Sequence, residues 1–308
     1  MIGIGVNLAA GLPDSTTPGW NVVDAVLARA RAAAAAGLRT AWLPQTYGFD
    51  TLTLFAAVAR EVGGIELGAS VVVVQPRHPR VLAAQAQTVQ AAAHGRLTLG
   101  LGVSHPGLLE VYGIPFERPV AALREHLDVL APLLRGERAP GAAGAGSSPA
   151  ETAVPGAAPP VPVLLGALGP VMLRLAGERA GGTITFLAGP RTIGEHVLPL
   201  LSAAAAGRPA PRVVAGVPVS LTADPDRVRA EVAAQYAGYA ALPTYARTLQ
   251  RDGVASPGEL VVAGDVAAID AGLRRYADAG ATDLLVSPVG DAAERARTLD
   301  VLGALARA

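Results

Sequence analysis

Leu67-Gly68-Ala69-Ser70-Val71-Val72-Val73-Val74-Gln75-Pro76-Arg77-His78-Pro79 shows no alternation of polar and apolar side chains. A half-exposed strand would alternate. A continuous β-branched run predicts a strand covered on both faces, over Ile65–Val74. Two prolines end it, and Arg80–Ala93, rich in Ala, Gln and Leu, has the composition of a helix. Leu97–Val103 then repeats the strand. Outward from this unit the rhythm holds in both directions. Further strands are expected at Ile2–Asn7, Thr40–Leu43, Val161–Leu165, Thr183–Leu187, Val213–Leu221 and Asp283–Ser287. Helices are expected at Val22–Ala36, Thr51–Val62, Ala121–Leu134, Val171–Arg179, Pro225–Tyr239, Val266–Ala279 and Ala292–Ala306. Asp24 falls in the first turn of one helix and Gly37 ends it, while Asp224 and Asp291 stand where N-caps belong.

Eight buried strands alternating with helices over 308 residues predict a (β/α)8 TIM barrel, an α/β fold, as a single domain over residues 1–308. A doubly wound sheet would carry a third glycine after Gly3-Ile4-Gly5, and that motif lies inside the strand rather than after it. The segment 136–160, packed with Gly, Pro, Ala and Ser, interrupts the rhythm. It predicts a flexible Gly/Pro-rich insertion loop near the barrel mouth, as linker or as lid. A smaller helical insertion, Ala240–Gly253, has Tyr236, Tyr239 and Tyr245 on its flanks.

Composition removes whole classes of chemistry. The chain carries 25 basic and 25 acidic residues and no cysteine, and every basic residue is arginine. Thiolate nucleophiles, zinc-thiolate sites, Schiff bases and the lysine-dependent P-loop are excluded. Zero net charge argues against nucleic acid, and no apolar run is long enough for a membrane helix. A soluble cytoplasmic protein is expected. None of the five histidines forms a close ligand pair, so no metal site is expected.

A barrel carries its site at the strand C-termini. The segments there are Trp42–Asp50, Gln75–Pro79, Gly102–Pro106, Gly166–Pro170 and Ala188–Arg191. In Gly166-Ala167-Leu168-Gly169-Pro170 two glycines bracket a tight turn at a helix start. Free N–H groups there, with the helix dipole, would cradle a phosphate without lysine. His78 and His105 fall at strand ends and are site candidates; His78-Pro79 reads equally as a helix start. His94 suits a helix end, and His126 and His196 lie within helical patterns. Gly102-Val103-Ser104-His105-Pro106 lacks the last glycine of a nucleophile elbow.

Taken together, these stretches resemble the bacterial luciferase-like superfamily. Leu67–Pro79 is similar to its third-strand signature, and Gly95-Arg96-Leu97-Thr98-Leu99-Gly100-Leu101-Gly102 to its next strand. Gly166–Pro170 with Leu175-Ala176-Gly177-Glu178 is similar to its phosphate turn and helix. Phe116-Glu117-Arg118-Pro119 and Ala277–Asp283 also match. Within the superfamily the chain looks most like the coenzyme F420-dependent oxidoreductases. The resemblance implies a strand-three bulge with a cis Ser70–Val71 peptide backing a deazaflavin, with FMN the alternative cofactor. It implies that Ser70, Val71, Gly102, Val103 and Ser104 line the ring and linker. Gly166, Ala167, Leu168 and Gly169 would hold the phosphate, and Ile184 and Thr185 would flank the cofactor. The implied reaction is hydride transfer between the deazaflavin and a small organic substrate, with reduction of a C=C or C=N bond expected. An FMN monooxygenase and a non-catalytic flavin-binding barrel are the alternatives. Sugar-phosphate dehydrogenases of the family carry an Asp-His pair and a Glu where this chain has Gln45, Thr46 and His105. Gln45, Thr46 and Trp42 are thus expected to meet substrate, and His105 to donate a proton or shape the pocket. Arg77, Arg80 and Arg191 are candidates for the acidic cofactor tail. A homodimer is expected by the same resemblance.

Overall fold

The computed structural model describes residues 2–13, 16–45, 47–139 and 153–307. Strands β1 (Gly3–Asn7), β2 (Thr40–Leu43), β3 (Glu66–Val73), β4 (Leu97–Gly102), β5 (Val163–Gly166), β6 (Gly182–Thr185), β7 (Arg212–Leu221), β8 (Val262–Gly264) and β9 (Asp283–Pro288) form one sheet. All pairings are parallel. β1 to β7 pair in sequence order, and β9 bridges β7 to β1, closing an eight-stranded barrel. β8 is the additional strand. It pairs only with the C-terminal extension of β7, at Val219–Leu221. Three residues are too few to show a period, so the sequence gives no strand signal there.

The expected caps form. Asp224 accepts from the Arg227 amide at 3.1 Å. Asn21, which the sequence did not single out, caps the first helix by accepting from the Val23 amide at 2.8 Å. Asp291 accepts from the Glu294 amide at 2.7 Å while Glu294 accepts from that of Asp291 at 2.8 Å, a reciprocal box. Helices Pro106–Val111 and Leu198–Ala204 were not expected, the first because Pro-Gly reads as a loop. A π turn, Ile193–Val197, precedes the second. Pro199 has no N–H to donate, so the helix widens ahead of it.

Inward-facing side chains stack in layers. Arg212 and Asp283 pair at the N-terminal end of the barrel, at 2.9 and 3.2 Å, and Arg212 reaches Thr98 across the interior at 3.4 Å. Glu66 joins this layer through Thr40 and Arg39. Above it Trp42, Leu164, Ile184, Val214 and Leu285 form an apolar layer, with Val71 packed on it. The main core lies between the sheet's outer face and the helices.

Burial alone would raise the Glu294 carboxyl. Hydrogen bonds from Thr222 at 2.6 Å, from Arg227 and from the Asp291 amide outweigh it and hold the group at about 2. A depressed carboxylate stabilises the fold above its ordinary value, and that contribution is lost as pH falls toward 2. Glu294→Gln is therefore expected to be less stable than the parent near neutral pH. Thermal unfolding of both across that acid range should show the gap closing.

Candidate active site

The bulge forms where expected. The β3–β4 register shifts between Ala69 and Val72, and the Ser70–Val71 peptide is cis. Val71 is half-buried, and three glycines face it. A Cβ on Gly102 would meet its Cγ2 at 2.5 Å, one on Gly100 its Cγ1 at 3.1 Å, and one on Gly166 the same atom at 3.4 Å. At Gly100, Gly102 and Gly166 the neighbouring strands thus present no side chain to Val71. Ser104 takes the left-handed conformation at φ 62° just before His105.

The turn after β5 has the expected form. Gly169 is the N-cap of the Pro170–Arg179 helix, with nothing within 4 Å of where a Cβ would stand. The side chains of Ala167 and Leu168 are buried in the main core, so only their backbone is offered. Among the described residues the amides of Leu168 and Gly169 donate to nothing.

Aromatic rings collect above this. Phe186, just past β6, meets Tyr236, Tyr239 and Tyr245 edge-on at 5.2, 5.6 and 6.0 Å. His105 sits edge-on to Tyr239 at 5.9 Å, and Tyr47 lies 6.1 Å from Tyr112. Burial and the neighbouring Tyr239 push the Tyr245 phenol up to about 12, and burial also raises Tyr236 and Tyr239. These hydroxyls stay protonated at neutral pH. Tyr236 also lines a cavity of about 290 Å³ at the C-terminal ends of β1 and β9, where Asn7 donates to Ser287 at 3.1 Å.

Some expected residues are placed elsewhere. Trp42 is wholly buried inside the barrel, so it packs the interior rather than meeting substrate. Gln45 holds its own loop: it donates to the Phe49 carbonyl at 2.7 Å and accepts from the Thr51 amide at 3.0 Å. Thr185 is buried with its hydroxyl directed to the Val214 carbonyl, on the strand face opposite Ile184. Ile184 faces the interior in the same apolar layer on which Val71 packs. Thr46 lies outside the described residues, as does most of the 136–160 loop. Arg77 is paired with Asp50 and Arg191 with Glu195. His78 caps its helix, accepting from the Arg80 amide at 3.2 Å. His126 is buried, and burial together with His78 holds it down to about 4. The sequence marks the three tyrosines only as flanks of an insertion; their contacts with Phe186, and that of Tyr239 with His105, are long-range and carry no local signal. Among the described residues no group of three metal-ligating side chains gathers, and no helix is long and apolar enough to cross a membrane.

A closed parallel barrel with a bulged third strand and a glycine-lined mouth defines a class, and comparison with known proteins gives the family. The chain matches the luciferase-like monooxygenase family over residues 3–303 and belongs to it. A provisional coenzyme F420-dependent oxidoreductase of Mycobacterium tuberculosis is 32% identical over 180 residues, 54% of this chain and 52% of that one. The chain's match thus spans about half the length of that relative. Two solved structures share the fold. The coenzyme F420-dependent tetrahydromethanopterin reductase of Methanopyrus kandleri has a TM-score of 0.78 at 20% identity, covering 98% and 97% of the two chains. An FMN-bound type II Baeyer–Villiger monooxygenase of Pseudomonas putida has a TM-score of 0.75 at 16% identity, covering 98% and 97%.

Proposed function

We propose that the protein is a coenzyme F420-dependent oxidoreductase that moves a hydride between the deazaflavin and a small organic substrate, reducing a C=C or C=N bond. The observation that carries this is the glycine-cleared mouth. Val71 stands half-buried where Gly100, Gly102 and Gly166 offer no side chain, beside a turn with two unused amides. A flat ring system bearing a phosphate needs both features together. The F420-dependent relative supports the deazaflavin over FMN.

When bound, the deazaflavin supplies the hydride chemistry. The chain's own residues do the rest. Val71, Gly102, Val103 and Ser104 would hold the ring, and Gly166 to Gly169 the phosphate. His105 offers an imidazole proton to the substrate atom beside the one that gains hydride. Tyr239 packs on that imidazole and is itself held by Phe186, Tyr236 and Tyr245. The cavity beside Asn7 and Ser287 gives a small molecule room. A homodimer belongs to the same reading.

Anaerobic fluorescence titration of the purified protein with coenzyme F420 and with FMN tests this. Tight binding of F420 and weak binding of FMN is the expected result. Preference for FMN moves the assignment to a monooxygenase, and binding of neither overturns it.

A further inference from the structure

We propose that Thr183 and His196 are positioning residues that aim the amides of the Ala167–Gly169 turn at a phosphate. The proposal rests on the reading that this turn holds the cofactor phosphate, and adds two side chains outside the turn. Thr183 Oγ1 donates to the carbonyls of Leu165 and Ala167, at 2.9 and 3.3 Å. His196 Nε2 lies 2.9 Å from the Leu168 carbonyl oxygen. That oxygen only accepts, so Nε2 carries the proton.

In a trans peptide the C=O and N–H are coplanar and point in opposite senses. The bond to Thr183 therefore turns the Leu168 N–H away from Thr183. The bond to His196 likewise turns the Gly169 N–H away from His196. The direction follows from β6. Ile184 faces the barrel interior with Trp42 and Leu164, so Thr183, one residue earlier, faces the helices. The Ala167 carbonyl points to the helix layer and the Leu168 N–H to the barrel side.

The neighbouring helix makes these two amides matter more. Pro170 opens it and has no N–H, which leaves one donor fewer in its first turn. Open space at Gly169 lets an anion approach. Thr183 is wholly buried and His196 sits in the π turn ahead of Pro199, so both are held by the fold rather than by solvent. A hydrogen bond to an ionised phosphate is about twice as strong as a neutral one, so mis-aimed amides weaken phosphate binding specifically.

The test compares two ligands that differ only in the phosphate, a 5-deazaflavin riboside and its 5′-phosphate, titrated by fluorescence into the full chain. His196→Leu and Thr183→Val are each expected to cut the preference for the phosphate by about 10-fold, with riboside affinity little changed. His196→Gln and Thr183→Ser keep a donor and should retain the preference. A merely structural role would weaken both ligands alike. If His196→Leu does not fold, Thr183→Val carries the same comparison. An unchanged preference in the folded variants, or equal loss for both ligands, overturns the positioning role. A parent protein that shows no preference overturns the phosphate reading itself, which separates the two failures.

Discussion

Replacing Trp42 by alanine is expected to destabilise the protein by about 3–5 kcal/mol, the usual cost of emptying a large buried aromatic site. The indole is wholly buried, and the strands beside it are cleared for it. A Cβ on Gly68 would lie 2.2 Å from its ring, and one on Gly5 2.5 Å from its Nε1. Gly68→Ala alone should therefore cost about 1–3 kcal/mol by overpacking. In a Trp42→Leu background the same methyl should cost little, because the atoms it strikes are gone. Denaturant unfolding of the four proteins measures the coupling. Additive effects would sink the view that these glycines exist to seat the indole.

Gly102→Ala is expected to weaken cofactor binding by about 10-fold or more while leaving the fold intact. Its new methyl meets only the side chain of Val71, at 2.5 Å, and Val71 can move toward the open mouth. That movement invades the space where the ring would lie. Gly100→Ala is the contrast. Its methyl would stand 2.2 Å from the Ala69 carbonyl oxygen, which belongs to the sheet and cannot yield. This second variant should lose thermal stability outright. Titration and thermal unfolding of both variants check the pair. Full affinity in a folded Gly102→Ala variant counts against the ring lying on Val71.

The barrel was legible because most of its strands show a continuous apolar run bounded by Gly, Pro or a cap. β3 reads as buried from Leu67 to Val74 for that reason. β8 did not show because three residues are too few for a pattern, and the Pro106–Val111 helix because its opening Pro-Gly reads as a loop. The phosphate turn was legible because its chemistry is local: two glycines and a proline at a helix start. His196 was not, since its partner is the Leu168 carbonyl, 28 residues away. Gln45 shows the opposite error. Its position at a strand end suggests contact with substrate, but its amide closes the loop around Thr51, a role that only the folded loop reveals. Trp42 fails likewise: it stands near the end of β2, and only the folded sheet shows that its height along the strand puts the indole in the interior rather than at the mouth.

The ionic layer of Arg212, Asp283, Thr98, Glu66 and Thr40 has a kinetic meaning beyond its stability. Arg212 spans the interior at one end of the barrel, bonding Asp283 and Thr98, and the indole of Trp42 fills the space above it. A ligand lying on Val71 would therefore enter and leave from the C-terminal side of the strands. In the proposed function, a substrate held outside a cofactor lying on Val71 would have to leave before it. An order of binding and release would then follow from the strand ends themselves.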